Sequence, residues 1–206
     1  MVISYLGGQN IKVTQGDLTL SFNPPSKDSS LKASKFGSDI VLVSTDHEDF
    51  NGVENASFGD REPFAIQGPG EYEVKGVAVR GFGMPTEYGG SLGINTIYSV
   101  TLEGMNLCFL GAISNTELPQ AAKQALDDID LLFIPVGGEG VVDTAQGYKL
   151  AVQLEPKAVV PMPYNTESLK KFLKEAGAEE AKPADKLTLK KKDLEGKQGE
   201  ILVLAA

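Results

Sequence analysis

Along residues 10–22 (NIKVTQGDLTLSF) apolar and polar side chains alternate on both sides of Gln15-Gly16-Asp17, which puts Val13, Leu18, Leu20 and Phe22 at strand-like positions. Alternation about a short glycine-containing loop predicts a β-hairpin. Residues 39–44 (DIVLVS) form instead a continuous apolar run, the pattern of a strand covered on both faces. It ends in Thr45-Asp46-His47-Glu48-Asp49, a polar cluster carried on a loop at the strand's carboxyl end, where functional groups concentrate. Residues 71–81 and 96–110 predict two more strand pairs, the second turning at Glu103-Gly104. The first half therefore reads as β-rich and antiparallel.

The period changes in the second half. Leu118, Ala122, Ala125, Leu126 and Ile129 share one helical stripe, with Pro119 in the first turn, and predict an amphipathic helix over 117–128. Strand 130–136 follows; Asp143 with Gln146 three positions on matches a capping box that opens a helix through 154, and strand 157–162 comes next. Thr166 is placed to cap a last helix, with Leu169, Phe172, Leu173 and Ala176 as its stripe and Gly177 as its stop, before a final strand at 200–204. The charged segment 178–199, with Lys190-Lys191-Lys192, reads as a solvated edge strand or turn whose lysines guard an exposed edge. Residues 82–95 read as an exposed loop, or a flap offering Met84 and Tyr88. Strands first and helix–strand alternation later predict layered sheets with helices outside.

At 206 residues, 41% hydrophobic and 23% charged, the chain is long and apolar enough to form one domain over 1–206 with a sizeable core. A formal charge of −9 repels phosphate backbones and anionic bilayers, so neither nucleic acid nor membrane is an expected partner. No apolar run approaches the roughly 18 residues of a membrane span. One cysteine, Cys108, excludes an intramolecular disulfide and reads as a buried, inert thiol; a soluble cytoplasmic protein is the expectation.

The smallest count changes the picture most, because the chain owns a single histidine, His47. Structural zinc wants four nitrogen or sulfur ligands and catalytic zinc about three protein ligands. Here the imidazole and thiol pool is His47 and Cys108.

Several spaced segments carry a resemblance: Tyr5-Leu6-Gly7-Gly8, Asn23-Pro24-Pro25, Thr45-x-His47-x-Asp49-Phe50, Gly68-Pro69-Gly70-Glu71-Tyr72-Glu73, Phe109-Leu110-Gly111-Ala112, Leu132 to Gly138, and Val160-Pro161-Met162-Pro163-Tyr164. In this order they resemble the metallo-β-lactamase fold superfamily, and most its small zinc-dependent hydrolase branch, similar to the ascorbate-phosphate lactonase group. The resemblance spans roughly residues 2–176 and implies an α/β fold, the four-layer αββα sandwich, and often a homo-oligomer. It also implies a binuclear metal site built from a His-x-His-x-Asp-His loop, a later histidine, a bridging aspartate and a last histidine. Laid onto this chain, the loop reads Thr45, His47, Asp49 and Phe50, the bridging aspartate is Ala112, and the last histidine is Pro163. The remaining histidine falls at Ser114 or Asn115, the family's opening Gly-His is Gly7-Gly8, and its Asp-Pro turn is Asn23-Pro24.

A methyl group, a phenyl ring and a proline cannot ligate a metal, so Ala112, Phe50 and Pro163 are silent where a binuclear centre needs donors. No catalytic residue, metal or cofactor is expected, and the expected role is non-catalytic binding or assembly with an unidentified small molecule or protein. The alternative is a metal-dependent hydrolase of a small phosphorylated or lactone substrate, using one divalent cation (Mn, Mg or Zn) on the residual candidates His47 and Asp49. Without metal, Asp49 is expected to accept backbone amides and His47 to bond an adjacent carboxylate. Asp143 reads as an N-cap, and Gly68-Pro69-Gly70 and Gly137-Gly138 as tight turns.

Overall fold

The alternation of residues 10–22 becomes β2 (Ile11–Gln15) and β3 (Leu18–Phe22), paired antiparallel with Ile11 opposite Phe22. β1 (Val2–Tyr5) lies antiparallel beside β2, while β4 (Ile40–Leu42) and β5 (Phe64–Ile66) add on the other side in parallel. The half expected to be antiparallel is thus mixed: the long connections 23–39 and 43–63 give the chain the reach for crossovers that hairpin turns lack. The computed structural model describes residues 1–138 and 140–206.

The second sheet starts as a meander of β6 (Gly70–Val74), β7 (Val77–Thr86), β8 (Gly93–Leu102) and β9 (Met105–Phe109). It continues in parallel through β10 (Leu131–Ile134), β11 (Ala158–Pro161) and, in the chain's last stretch, β13 (Glu200–Ile201). The short β12 (Leu187–Thr188) closes the first sheet beside β1, giving the order β12-β1-β2-β3-β4-β5 against β13-β11-β10-β9-β8-β7-β6.

Between the sheets the buried faces of both interlock around Phe22, Phe109 and Phe133, with ring centroids 4.8 to 6.2 Å apart. Such aromatic contacts add to the burial energy. Helices α1 (Gln120–Ala125), α2 (Thr144–Leu154) and α3 (Thr166–Glu175) cover the outer face of the second sheet, where Ala122, Leu150 and Phe172 join Cys108, Leu132 and Val159 in a second core. Over the first sheet the layer shrinks to the one-turn helix Val53–Ala56 on Val41 and Val43. The result is the expected four-layer α/β sandwich. No helix among the described residues is long and apolar enough to cross a membrane.

Several local expectations are corrected. The exposed loop expected over 82–95 shrinks to residues 87–92: β7 and β8 pair from Ala78↔Thr101 to Thr86↔Gly93, and Met84 is buried. Gly81, Gly83 and Pro85 mask the alternation there. Asn165, not Thr166, caps α3, its side chain accepting the Glu167 and Ser168 amides at 2.9 Å. The helix over 117–128 contracts to α1 with Pro119 as N-cap, and the final strand ends at Ile201, Leu204 only bridging Ala184. Lys191 and Lys192 lie in a one-turn helix after the edge strand β12.

The two halves repeat one electrostatic device. Before β4, the Asp39 and Thr19 backbones are joined by Asp39 N–H to Thr19 O at 2.8 Å, while Asp39 accepts the Thr19 amide at 2.9 Å and Lys75 Nζ at 2.6 Å. Before β10, Asp130 N–H reaches Asn106 O at 2.9 Å, and its carboxylate accepts the Asn106 amide at 2.8 Å and Lys157 Nζ at 2.6 Å. Burial acts to raise the Asp39 pKa, but the hydrogen bonds from Lys75 and Thr19, with the charges of Lys75 and Arg61, bring it below the ordinary value. Hydrogen bonds from Lys157 to Asp130 and then Asp128 raise the Lys157 pKa.

Asp130 is fully buried, so Asp130→Ala strands the Asn106 amide and one arm of Lys157 and is expected to cost about 3 kcal/mol in urea denaturation. Asp39 contributes stability above its unfolded pKa, near about 4, and loses it as pH falls through the depressed folded value. Lowering the pH from 7 through that range should therefore lower the urea midpoint, and Lys75→Met should shrink the drop. An unchanged drop in that variant would remove Asp39 from the acid response.

Candidate functional site

At the opposite, carboxyl ends of β4 and β9 the sheets meet through hydrogen bonds. Thr96 N–H donates to Ser44 O at 2.7 Å. The neighbouring side chain, Asn95, is fully buried: its Oδ1 accepts from Ala112 N–H at 2.7 Å and Thr45 Oγ1 at 3.2 Å, and its Nδ2 donates to Leu110 O at 2.9 Å. Asn23, left-handed at φ 45°, accepts the Ser44 amide and donates to Ser44 Oγ, both at 2.8 Å, and to Gln9 Oε1 at 3.3 Å. Gly111 permits this crowding, since a Cβ there would lie 2.4 Å from Asn95 Oδ1 and φ is +66°.

Beyond this hub the loop carries His47, Asp49 and Phe50 against the β7–β8 turn. Tyr88 Oη donates to Asp49 Oδ2 at 2.8 Å, and Ser29 Oγ donates to Asp49 Oδ1. The Tyr88 ring stands edge-on to His47 at 4.9 Å and packs on Phe50 at 4.6 Å. Hydroxyls, not backbone amides, thus serve the Asp49 carboxylate. His47 Nδ1 accepts the Asp49 amide at 3.2 Å, while the nearer carboxylate oxygen is 3.6 Å away, so the expected carboxylate bond is replaced by a backbone one. With Nδ1 as acceptor the neutral ring carries its proton on Nε2. Gly89, at φ +76°, packs on that edge; a Cβ would sit 2.8 Å from Nε2.

The six positions aligned with the ligand loop, the bridging aspartate and the last histidine fall in this neighbourhood. Thr45 and Ala112 belong to the Asn95 hub, and Thr86 Oγ1 donates to Ala112 O while accepting the Tyr88 amide at 3.2 Å. Pro163 joins His47, Asp49, Tyr88 and Gly89 around a cavity of about 280 Å³. Phe50 is buried. Elsewhere Asn115 caps a turn through the Glu117 amide at 3.0 Å, and Asp143 forms its capping box with Gln146. Burial pushes the Cys108 thiol pKa up, which leaves it inert.

The donors do not fit a binuclear zinc centre. Both Asp49 oxygens take hydroxyl protons, His47 turns one nitrogen to a backbone amide and the other to Gly89, and the other aligned positions supply a hydroxyl already donating to Asn95, a phenyl, a methyl and a proline. Among the described residues no group of three or more His, Cys, Asp and Glu side chains converges. Sequence reasoning missed Asn95, Ser29 and the Tyr88 bond to Asp49. Asn95 carries no distinct signal, because Thr96 and Ser99 interrupt the same stretch.

The model of the β-lactamase superfamily domain matches residues 2–163, and the chain belongs to that family. It is similar in fold to a Thermotoga maritima protein of the metallo-β-lactamase superfamily assigned as a zinc-dependent hydrolase, with 22% identity, TM-score 0.75, and 98% and 97% of the two chains covered. A Parabacteroides distasonis protein assigned as a metal-dependent hydrolase aligns at 15% identity and TM-score 0.66 over 98% and 91%. Igni18, a metallo hydrolase from Ignicoccus hospitalis, aligns at 16% identity and TM-score 0.63 over 92% and 99%.

Asn95→Ala strands the Thr45 hydroxyl, the Ala112 amide and the Leu110 carbonyl in a buried site. The expected loss is about 3 kcal/mol by urea denaturation. A loss within about 0.5 kcal/mol would show that solvent replaces the amide without cost.

Proposed function

We propose that this member of the superfamily has exchanged the binuclear metal centre for a hydrogen-bonded and aromatic plug and acts by binding rather than hydrolysis. The observation that carries this reading is the Asp49 carboxylate, each of whose oxygens accepts a hydroxyl, from Ser29 and from Tyr88, at a position where the family motif implies a metal ligand. The family's hydrolytic nucleophile is a water acidified by metal, and water without that charge is a weak nucleophile near neutral pH. The Tyr88 hydroxyl is held by Asp49, and His47 Nδ1 is held by the Asp49 amide. A cytoplasmic setting is in keeping with one buried cysteine.

Metal analysis tests this. Protein purified without chelator, incubated with zinc or manganese and desalted, should retain less than about one ion per ten chains, with no change in Asp49→Ala. It should also leave phosphorylated and lactone substrates at their blank rates. Stoichiometric metal that is lost in Asp49→Ala would overturn the reading in favour of a metal-dependent hydrolase of such a substrate.

A further inference from the structure

The face of β7 and β8 that packs the central core runs on past the end of the first sheet. Val77 and Val79 on β7, with Tyr98 and Val100 on β8, belong to that core. Alternation places Gly81, Gly83 and Pro85, with Thr96 and Ile94, on the same face. β4 ends at Leu42; two residues on, the Ser44 carbonyl takes the Thr96 amide, and beyond it no strand among the described residues opposes this face.

The connection Gln67–Pro69 folds over one side and leaves a cleft of about 590 Å³, within the roughly 300–1,000 Å³ of small-molecule sites. Its walls are Pro69, Pro85 and Ile94, the last 57% exposed. Gly83 leaves a notch between two of them: a Cβ there would lie 3.3 Å from Pro69 Cγ and 3.6 Å from Ile94 Cγ2. Ser44, Thr45, Asp46 and Gln67 complete the lining, with Asp46 exposed to solvent. Thr45 donates its hydroxyl to Asn95, and Asn51 occupies one oxygen of Asp46 at 2.8 Å, leaving Oδ2 outside that bond. Asp46 is the one formally charged side chain among the residues lining the cleft; no lysine, arginine or histidine faces it there.

We infer that this cleft binds a small amphiphilic amine, its hydrocarbon part in the notch between Pro69 and Ile94 and its ammonium group at the Asp46 carboxylate. Apolar walls supply burial without selectivity, and the single charge selects the sign of the head group. An anion of the same length would meet Asp46 with no compensating cation, and a neutral alcohol would forgo the charge-assisted bond. The inference deepens the binding role proposed above and rests on it.

The test is an amide NMR titration of chelator-treated, dialysed protein, its metal content assayed, with hexylammonium, hexanoate and 1-hexanol as probes. Hexylammonium should shift the Gly68, Gly83 and Ile94 amides saturably, with hexanoate and hexanol weaker. Asp46→Asn, at an exposed position, should weaken binding about fivefold, as expected for one solvent-accessible ion pair. Gly83→Leu, filling the notch, should abolish it. Equal binding of hexanoate or hexanol, unchanged affinity in Asp46→Asn, or no saturable shift at these amides overturns the inference. A failed titration on metal-free protein sinks the amine site alone, whereas stoichiometric metal uptake sinks the non-catalytic reading whatever the titration gives.

Discussion

The hydrogen bond from Thr96 N–H to Ser44 O, with Asn95 and Asn23 on either side of it, is the constraint on which this end of the molecule depends. Apolar packing between two sheets is strong but non-directional, and it does not by itself fix where one sheet ends over the other. Directional bonds in a buried site do, because each broken donor or acceptor carries its full desolvation cost. Where the family motif implies metal ligands drawing the strand ends together, this chain uses two asparagine side chains, a threonine and backbone amides. The junction is closed by chemistry that needs no ion.

That closure decides what lies on either side. Inward, Gly111 has to be small, since a Cβ there would lie 2.4 Å from Asn95 Oδ1 and 2.7 Å from Ser44 Cβ. Outward, the first sheet stops while β7 and β8 continue, and a strip of glycine and proline left without an opposing layer becomes a cleft. The same register that buries Val79 and Tyr98 in the core therefore exposes Gly83 and Ile94 a few residues along.

The sequence made the sandwich legible where burial repeats with a regular period. The runs Ile40–Leu42 and Leu131–Ile134, the capping box at Asp143 and the stripe of α3 all appear close to where periodicity put them. The reach of β7 was hidden because Gly81, Gly83 and Pro85 break an alternation that Phe82, Met84 and Thr86 continue. The parallel pairing of β3 with β4 depends on a crossover path, which no local pattern encodes. At the site, the missing donors could be read from residue types alone. The partners of Asp49 could not: Ser29 and Tyr88 lie far from it in sequence and meet it only through loops from both sheets.

The repeated aspartates act at the end of the strands opposite the residues aligned with the family's site. Asp39 and Asp130 lock the amino ends of the two central strands by the same three bonds, and the aromatic core lies between them and the site. The carboxyl ends are held separately, by the buried Asn95 and Asn23 bonds, and there the loops carry the residues that vary with chemistry. Phe50 and Pro163 lie outside the strand ladders, and the buried Phe50 packs its ring on Tyr88. With both strand ends held by buried bonds, the loops beyond them can vary without breaking the ladders.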